Sequence, residues 1–171
     1  MGQRTTVSAN KSSADSSAHS KRPAAGGEAA EIRQRLQFEL LRSALYHDMR
    51  QTFLMRLHRV SQFLTVVLGS SAIAALGAAQ PLVGQLAGAA VAIVGAAQLV
   101  WDFGGLARDH GDLRRRFYAL LSEAEQGGDV SGISKQMTLL YADEPPEVLR
   151  VNKRAHDRAG EAIYGDDFNR A

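Results

Sequence analysis

"LGSSAIAALGAAQPLVGQLAGAAVAIVGAAQLVW", Leu68–Trp101, is built mostly from Ala, Gly, Val and Leu and holds no charge. The uncharged run reaches back to Val60, so residues 60–101 contain no Asp, Glu, Lys or Arg. A run of this kind is either the buried centre of a soluble helical bundle or a pair of membrane spans. Gln80-Pro81 is the single turn signal inside it. Proline fixes φ and lacks an N–H, which suits the first turn of a new helix. The halves on either side, 60–79 and 82–101, are each about 20 residues, the length that crosses a hydrocarbon core of about 30 Å.

Side-chain chemistry separates the two readings. The clearly polar residues of the run are Ser61, Gln62, Thr65, Ser70, Ser71, Gln80, Gln85 and Gln98, and they form no stripe. A helix that is apolar all round needs protein on every side if it is to stay in water. The rest of a 171-residue chain is too small to wrap two of them. Each half carries eight Leu, Ile, Val or Phe residues. These favour insertion by roughly 2.5 to 5 kcal/mol per helix, before Gly, Ser and Gln subtract from it. One central Arg or Asp would cancel most of that, so the missing charge is physically decisive. A transmembrane helical hairpin is the expectation. Arg50, Arg56 and Arg59 before it and Arg108, Arg114, Arg115 and Arg116 after it put both termini in the cytoplasm.

Outward from this centre the pattern is helical and charged. Leu41, Leu45, Met49, Phe53, Leu57, Val60 and Leu64 form an apolar stripe that enters the uncharged run without a breaker. Beyond it, Phe103, Leu106, His110, Leu113, Phe117 and Leu120 make a heptad seam with one polar seat, His110, read as register-setting in preference to a pH sensor. The expected fold is therefore all-α. It is a long antiparallel hairpin over 31–126: cytosolic arms 31–59 and 102–126, spans 60–79 and 82–101, and a turn at Gln80 and Pro81. Shorter helices follow over 130–165. Pairing about a centre at 80/81 gives partners whose numbers sum to about 161, which sets Arg59 opposite Asp102 as an ion pair at the membrane border. Residues 1–30, rich in Ser, Ala, Gly and Lys, are expected to be disordered.

The smallness of the run is a second clue. Gly84, Gly88, Ala92 and Ala96 recur every four residues, as do Ser70, Ala74 and Ala78. Such faces let helices approach closely in lipid. They pack the hairpin alone, or pack it on one face and neighbouring copies on another. Thr65, Ser70, Ser71 and Gln98 are candidates for a pore lining or for hydrogen bonds between the two helices.

Little else suggests chemistry. With no Cys and five scattered His residues, no triad or metal spacing emerges, and "YHD" (Tyr46–Asp48) and "RDHGD" (Arg108–Asp112) are weak signals. No catalytic residue, metal or cofactor is expected, and a net charge of only +2 gives no reason to expect direct nucleic-acid binding. Arg150, Arg154 and Arg158 share one face of the last helix, either solvated or docking an anionic partner.

"ALYHDMRQTFLMRLHRVSQFLTVVLGSSAIAALGA", the second small-residue span and "LLYADEPPEVLRVNKRAHDRA" together resemble the SLATT family over about residues 30–167. The most specific parts are "YHDMRQTFLMRLHR", "LGS" (Leu68–Ser70) and Asp143-Glu144-Pro145-Pro146. The resemblance implies a two-span effector of bacterial conflict or antiphage systems in the inner membrane. Such an effector assembles into homo-oligomers and permeabilises the membrane on a signal. A nucleotide-producing or nucleotide-sensing partner would trigger it. The alternative is a membrane anchor that recruits a cytosolic partner through its arms.

Overall fold

The computed structural model of the chain describes residues 25–78, 80–165 and 168. Helix accounts for 90% of them, and none is in a strand. Helix α1 spans Ala25–Gly77, α2 Pro81–Trp101, α3 Phe103–Glu125, α4 Val130–Ala142 and α5 Leu149–Tyr164. At 1.5 Å per residue α1 alone is about 80 Å long. Most of the expected tail lies outside the described residues, but 25–30 are already helical. "AAGGEAAE" carries enough alanine, and an acidic Glu28 in its first turn, to extend the helix toward its N-terminus.

α1 packs against α2 along its C-terminal part and against α3 and α5 along the rest. Partners run in opposite order: Thr65 meets Gln98, His58 meets Gly104, Gln51 meets Gly111 and Asp48 meets Arg114. These pairs sum to 162 or 163. α2 and α3 form one bent rod. Its joint is Asp102, whose φ of 31° and ψ of 58° place it in the left-handed region. Asp tolerates that region better than most residues. The Asp102 N–H donates to the Gln98 carbonyl, and its carboxylate accepts from the Gly105 N–H 3.0 Å away, so one residue ends α2 and starts α3.

One row of α1 stays buried or half-buried along the whole pairing: Leu40, Ala44, His47, Gln51, Leu54, His58, Ser61, Thr65, Leu68, Ala72 and Ala75. They step by four and three alternately, the 3.5-residue period of a coiled-coil seam. The facing row on α2 is Gly84, Ala87, Val91, Val94 and Gln98, continued on α3 by Gly104, Ala107, Gly111 and Phe117. This corrects the apolar stripe expected from Leu41 to Leu64. Phe53, Val60 and Leu64 are 56%, 53% and 41% exposed. Four consecutive steps of four advance about 40° each around a helix of 3.6 residues per turn. The row therefore winds off the interface within a few turns. On α3, Leu106 is likewise 37% exposed while Ala107 is fully buried in its place. His110, Leu113, Phe117 and Leu120 are buried.

The apolar core sits in the charged half. Leu36, Leu40, Ala44, Leu113, Phe117, Leu121, Ile133 and Leu140 join α1, α3 and α4. Asp129 caps α4 by accepting from the N–H groups of Ser131 and Gly132, which starts that helix three residues before its first buried residue, Ile133. α5 lays Ala155, Ala159 and Gly160 inward, and Phe38 of α1 packs edge-on against His156 and tilted against Tyr164.

Candidate functional site

Two places hold the residues that the sequence singles out: the apolar pair at one end and a polar cluster in the charged half. At the apolar end, α1 and the α2–α3 rod present 18-residue windows of mean hydropathy 1.6 and 1.8. Only 6% and 11% of those windows are buried. The apolar side chains point away from the pair: Phe63 is 67% exposed, Ile73 74%, Leu76 70% and Leu99 85%. A bundle core would bury them. Two helices long and apolar enough to span a membrane, and left uncovered by the rest of the chain, point to membrane association.

The seam between them is small and polar. Gly84 lies where an added Cβ would stand 3.5 Å from the Ala72 carbonyl oxygen and 3.6 Å from Leu76. Gly88, by contrast, has nothing within 4 Å. Ala92 and Ala96 are exposed with it, as are Ser70, Ala74 and Ala78. The two small-residue rows are thus divided: Gly84 packs the pair, and the others face outward. The four polar candidates divide too. Gln98 Nε2 donates to Thr65 Oγ1 at 3.1 Å, and Thr65 in turn donates to the Ser61 carbonyl at 3.0 Å, so both are spent inside the pair. Ser70 and Ser71 face outward, and Ser71 Oγ donates to the Val67 carbonyl of its own helix at 2.8 Å. Gln80 and Pro81 lie at the connection, Gln80 N–H bonding the Ala75 carbonyl and Pro81 opening α2.

At the border of the uncharged run the expected ion pair is not formed. Among the described residues no ion pair joins Arg59 and Asp102. Asp102 turns its carboxylate into the α3 cap instead, because the bend of the rod leaves the Gly105 N–H otherwise unpaired. The ion pair between the arms lies deeper, where Arg114 reaches Asp48 at 2.7 Å.

The second place joins two motifs that the sequence holds about a hundred residues apart. "YHD" on α1 meets "DEPPEV", the link between α4 and α5. Tyr46 Oη accepts from the Val148 N–H at 3.0 Å, and His47 Nε2 donates to Glu144 Oε1 at 3.1 Å. His47 Nδ1 lies 2.8 Å from His110 Nδ1, and its ring stacks on Phe117 at 5.5 Å. Ser43 Oγ and Tyr141 Oη close the cluster at 3.1 Å. His47 is wholly buried and His110 is 2% exposed. An Nδ1–Nδ1 hydrogen bond needs one proton between two ring nitrogens. His47 Nε2 donates to Glu144, and one of the two rings supplies the proton held between the Nδ1 atoms. Burial first, then the charges of His47 and Arg50, lower the His110 pKa to about 4, so its ring is neutral near pH 7.

Both nitrogens of His47 are engaged and shielded from solvent, so the cluster offers no free base to a substrate. It fastens the Glu144–Val148 link to α1 and α3. Asp143 and Pro146 are exposed, and Pro145 is half-buried. The sequence signals for this cluster were the tyrosine and histidine inside an otherwise heptad-like helix, and the acid before a double proline. Neither reveals its partner without the fold. Among the described residues no group of three His, Cys, Asp or Glu is placed to hold a metal ion. No family model, no curated protein and no solved structure matches the chain.

Proposed function

We propose that this chain is a bacterial inner-membrane effector of the SLATT type. Its apolar hairpin spans the bilayer, both termini lie in the cytoplasm, and copies assemble to permeabilise the membrane when a nucleotide-signalling or antiphage partner is triggered. It works by assembly rather than by catalysis. The observation that carries this reading is the inside-out surface of the apolar pair: uncharged, mostly exposed, and continuous with a well-packed charged arm. Lipid satisfies such a surface and water does not.

The outward rows Gly88, Ala92 and Ala96 and Ser70, Ala74 and Ala78 support assembly, since small faces allow a second copy to approach closely. With Thr65 and Gln98 engaged within the pair, Ser70 and Ser71 become the candidates for a polar wall. A second reading, a membrane anchor whose arm recruits a cytosolic partner, is favoured by one observation: the outward surface of the pair carries no continuous polar stripe.

Induced expression with a membrane-potential dye separates them. The effector depolarises cells in the presence of its neighbouring genes, and the anchor does not. Gly88→Leu should reduce both oligomer size in detergent and depolarisation while leaving helix content intact. Unchanged oligomer size would remove the outward packing face, and absence of depolarisation under every condition would remove the pore.

A further inference from the structure

We propose that the groove between α1 and α5 is a binding site for a phosphate ester. The groove has a volume of about 420 Å³ and is half open to solvent. Arg50 and Arg56 stand on its α1 wall, Arg154 and Arg158 on its α5 wall, with Phe53 between them. Its single acidic residue, Asp48, is already paired with Arg114 at 2.7 Å.

Four guanidinium groups around one groove repel one another unless something anionic lies among them. Three neighbouring carboxylates have other partners. Asp157 is held by Lys153 at 3.1 Å, Glu147 accepts from Asn152 at 2.6 Å, and Glu144 from His47 at 3.1 Å. Among the described residues none of the four arginines makes an ion pair. Arg50 is half-buried, and its Nε is buried without a hydrogen-bond partner. A buried donor left unmade costs stability, so the Arg50 side chain is held in place at a cost, and its terminal guanidinium nitrogens are what it can offer a ligand in the groove. Arginine rather than lysine on both walls suits the oxygens of a phosphate, which guanidinium forks bind in pairs. Phe53, 56% exposed in the charged half of the molecule, supplies an apolar surface for the rest of the ester.

Two sources present this chemistry. Arg56 lies four residues before the uncharged run, roughly 6 Å along the helix, so a lipid headgroup at the bilayer surface can reach the groove. A soluble phosphate ester can enter from the open side. The headgroup source rests on the membrane reading, and the soluble source does not.

The test uses the full chain purified in neutral detergent, with its melting temperature followed against two probes. One is sodium pyrophosphate. The other is phosphatidylglycerol doped into the micelles, with zwitterionic phosphatidylcholine as control. At least one probe should raise the melting temperature saturably. Replacing two exposed arginines, R154Q with R158Q, should raise its half-effective concentration at least tenfold. R56Q alone should raise it several-fold. R115Q with R116Q, which removes the same charge from α3, should change it less than twofold. A response to phosphatidylglycerol alone assigns the headgroup; a response to pyrophosphate assigns a soluble phosphate source. The proposal is overturned if neither probe saturates, if the groove variants leave the response unchanged, or if both double variants weaken it equally.

Discussion

The two ends of the long helix pair share one seam and differ in everything outside it. In the charged half the seam is Leu40, Ala44, His47, Gln51, Leu54 and His58 against Gly104, Ala107, His110, Gly111 and Phe117. In the apolar half it is Ser61, Thr65, Leu68, Ala72 and Ala75 against Gly84, Ala87, Val91, Val94 and Gln98. Polar side chains enter the seam in both halves: His47, Gln51, His58 and His110 in one, Ser61, Thr65 and Gln98 in the other. The outer surface of the apolar half is where Leu, Ile, Val and Phe accumulate. In the charged half the outer surface carries Arg, Asp and Glu, and two further helices cover part of it. The environment is therefore written on the outward faces, while the 3.5-residue period that pairs the helices is indifferent to it.

Substitutions at matched positions can break this comparison. The largest effect is expected in the charged seam. Phe117→Ala opens a cavity beside His47 and should cost about 3–5 kcal/mol in denaturant unfolding of the purified protein. Next is the outer face of the apolar half. Ile73→Arg should cost about 2.5–3.5 kcal/mol in membrane insertion, read as protein released by alkaline extraction. The matched change on the charged half, Tyr118→Arg, should leave extraction and stability within about 0.5 kcal/mol. If both arginines behave alike, the outward faces do not distinguish the halves.

Acid sharpens the comparison at the buried histidines. The folded-state pKa of His110, about 4, lies below its ordinary value of 6.5, so on acidification the unfolded chain takes up this proton first. Stability from this group is whole above pH 6.5 and lost as the pH falls toward about 4. The slope is at most about 1.4 kcal/mol per pH unit. Unfolding followed by circular dichroism between those limits should show it, and His110→Asn should flatten it. The smallest effect belongs to the apolar seam. Gln98→Leu removes one interhelical hydrogen bond and should cost about 0.6 kcal/mol, measured by unfolding in mixed micelles.

Composition alone made the helical class and the uncharged centre legible, because neither depends on which residues touch. The seam on α1 was not legible. His47, Gln51, His58, Ser61 and Thr65 occupy interface positions that an apolar pattern passes over, while Leu41 to Leu57 suggest a stripe one residue away. Regular steps of four were a readable warning, since such a row cannot stay on one face. At Asp102 the sequence showed a charge at a border, where the fold needed a cap for a bent rod. The YHD and DEPP motifs were visible separately, and nothing in either states that Glu144 closes on His47.

What the sequence determined by itself is where charge is missing, how long the missing stretch is, and where proline divides it. These are one-dimensional facts, and helix formation and the cost of exposing apolar surface act on them directly. What only the tertiary structure decided is direction: which face of each helix looks inward, which small residues are packed and which left open, and which distant polar groups meet. Direction depends on the relative rotation of helices, and that rotation is set by packing all the contacts at once.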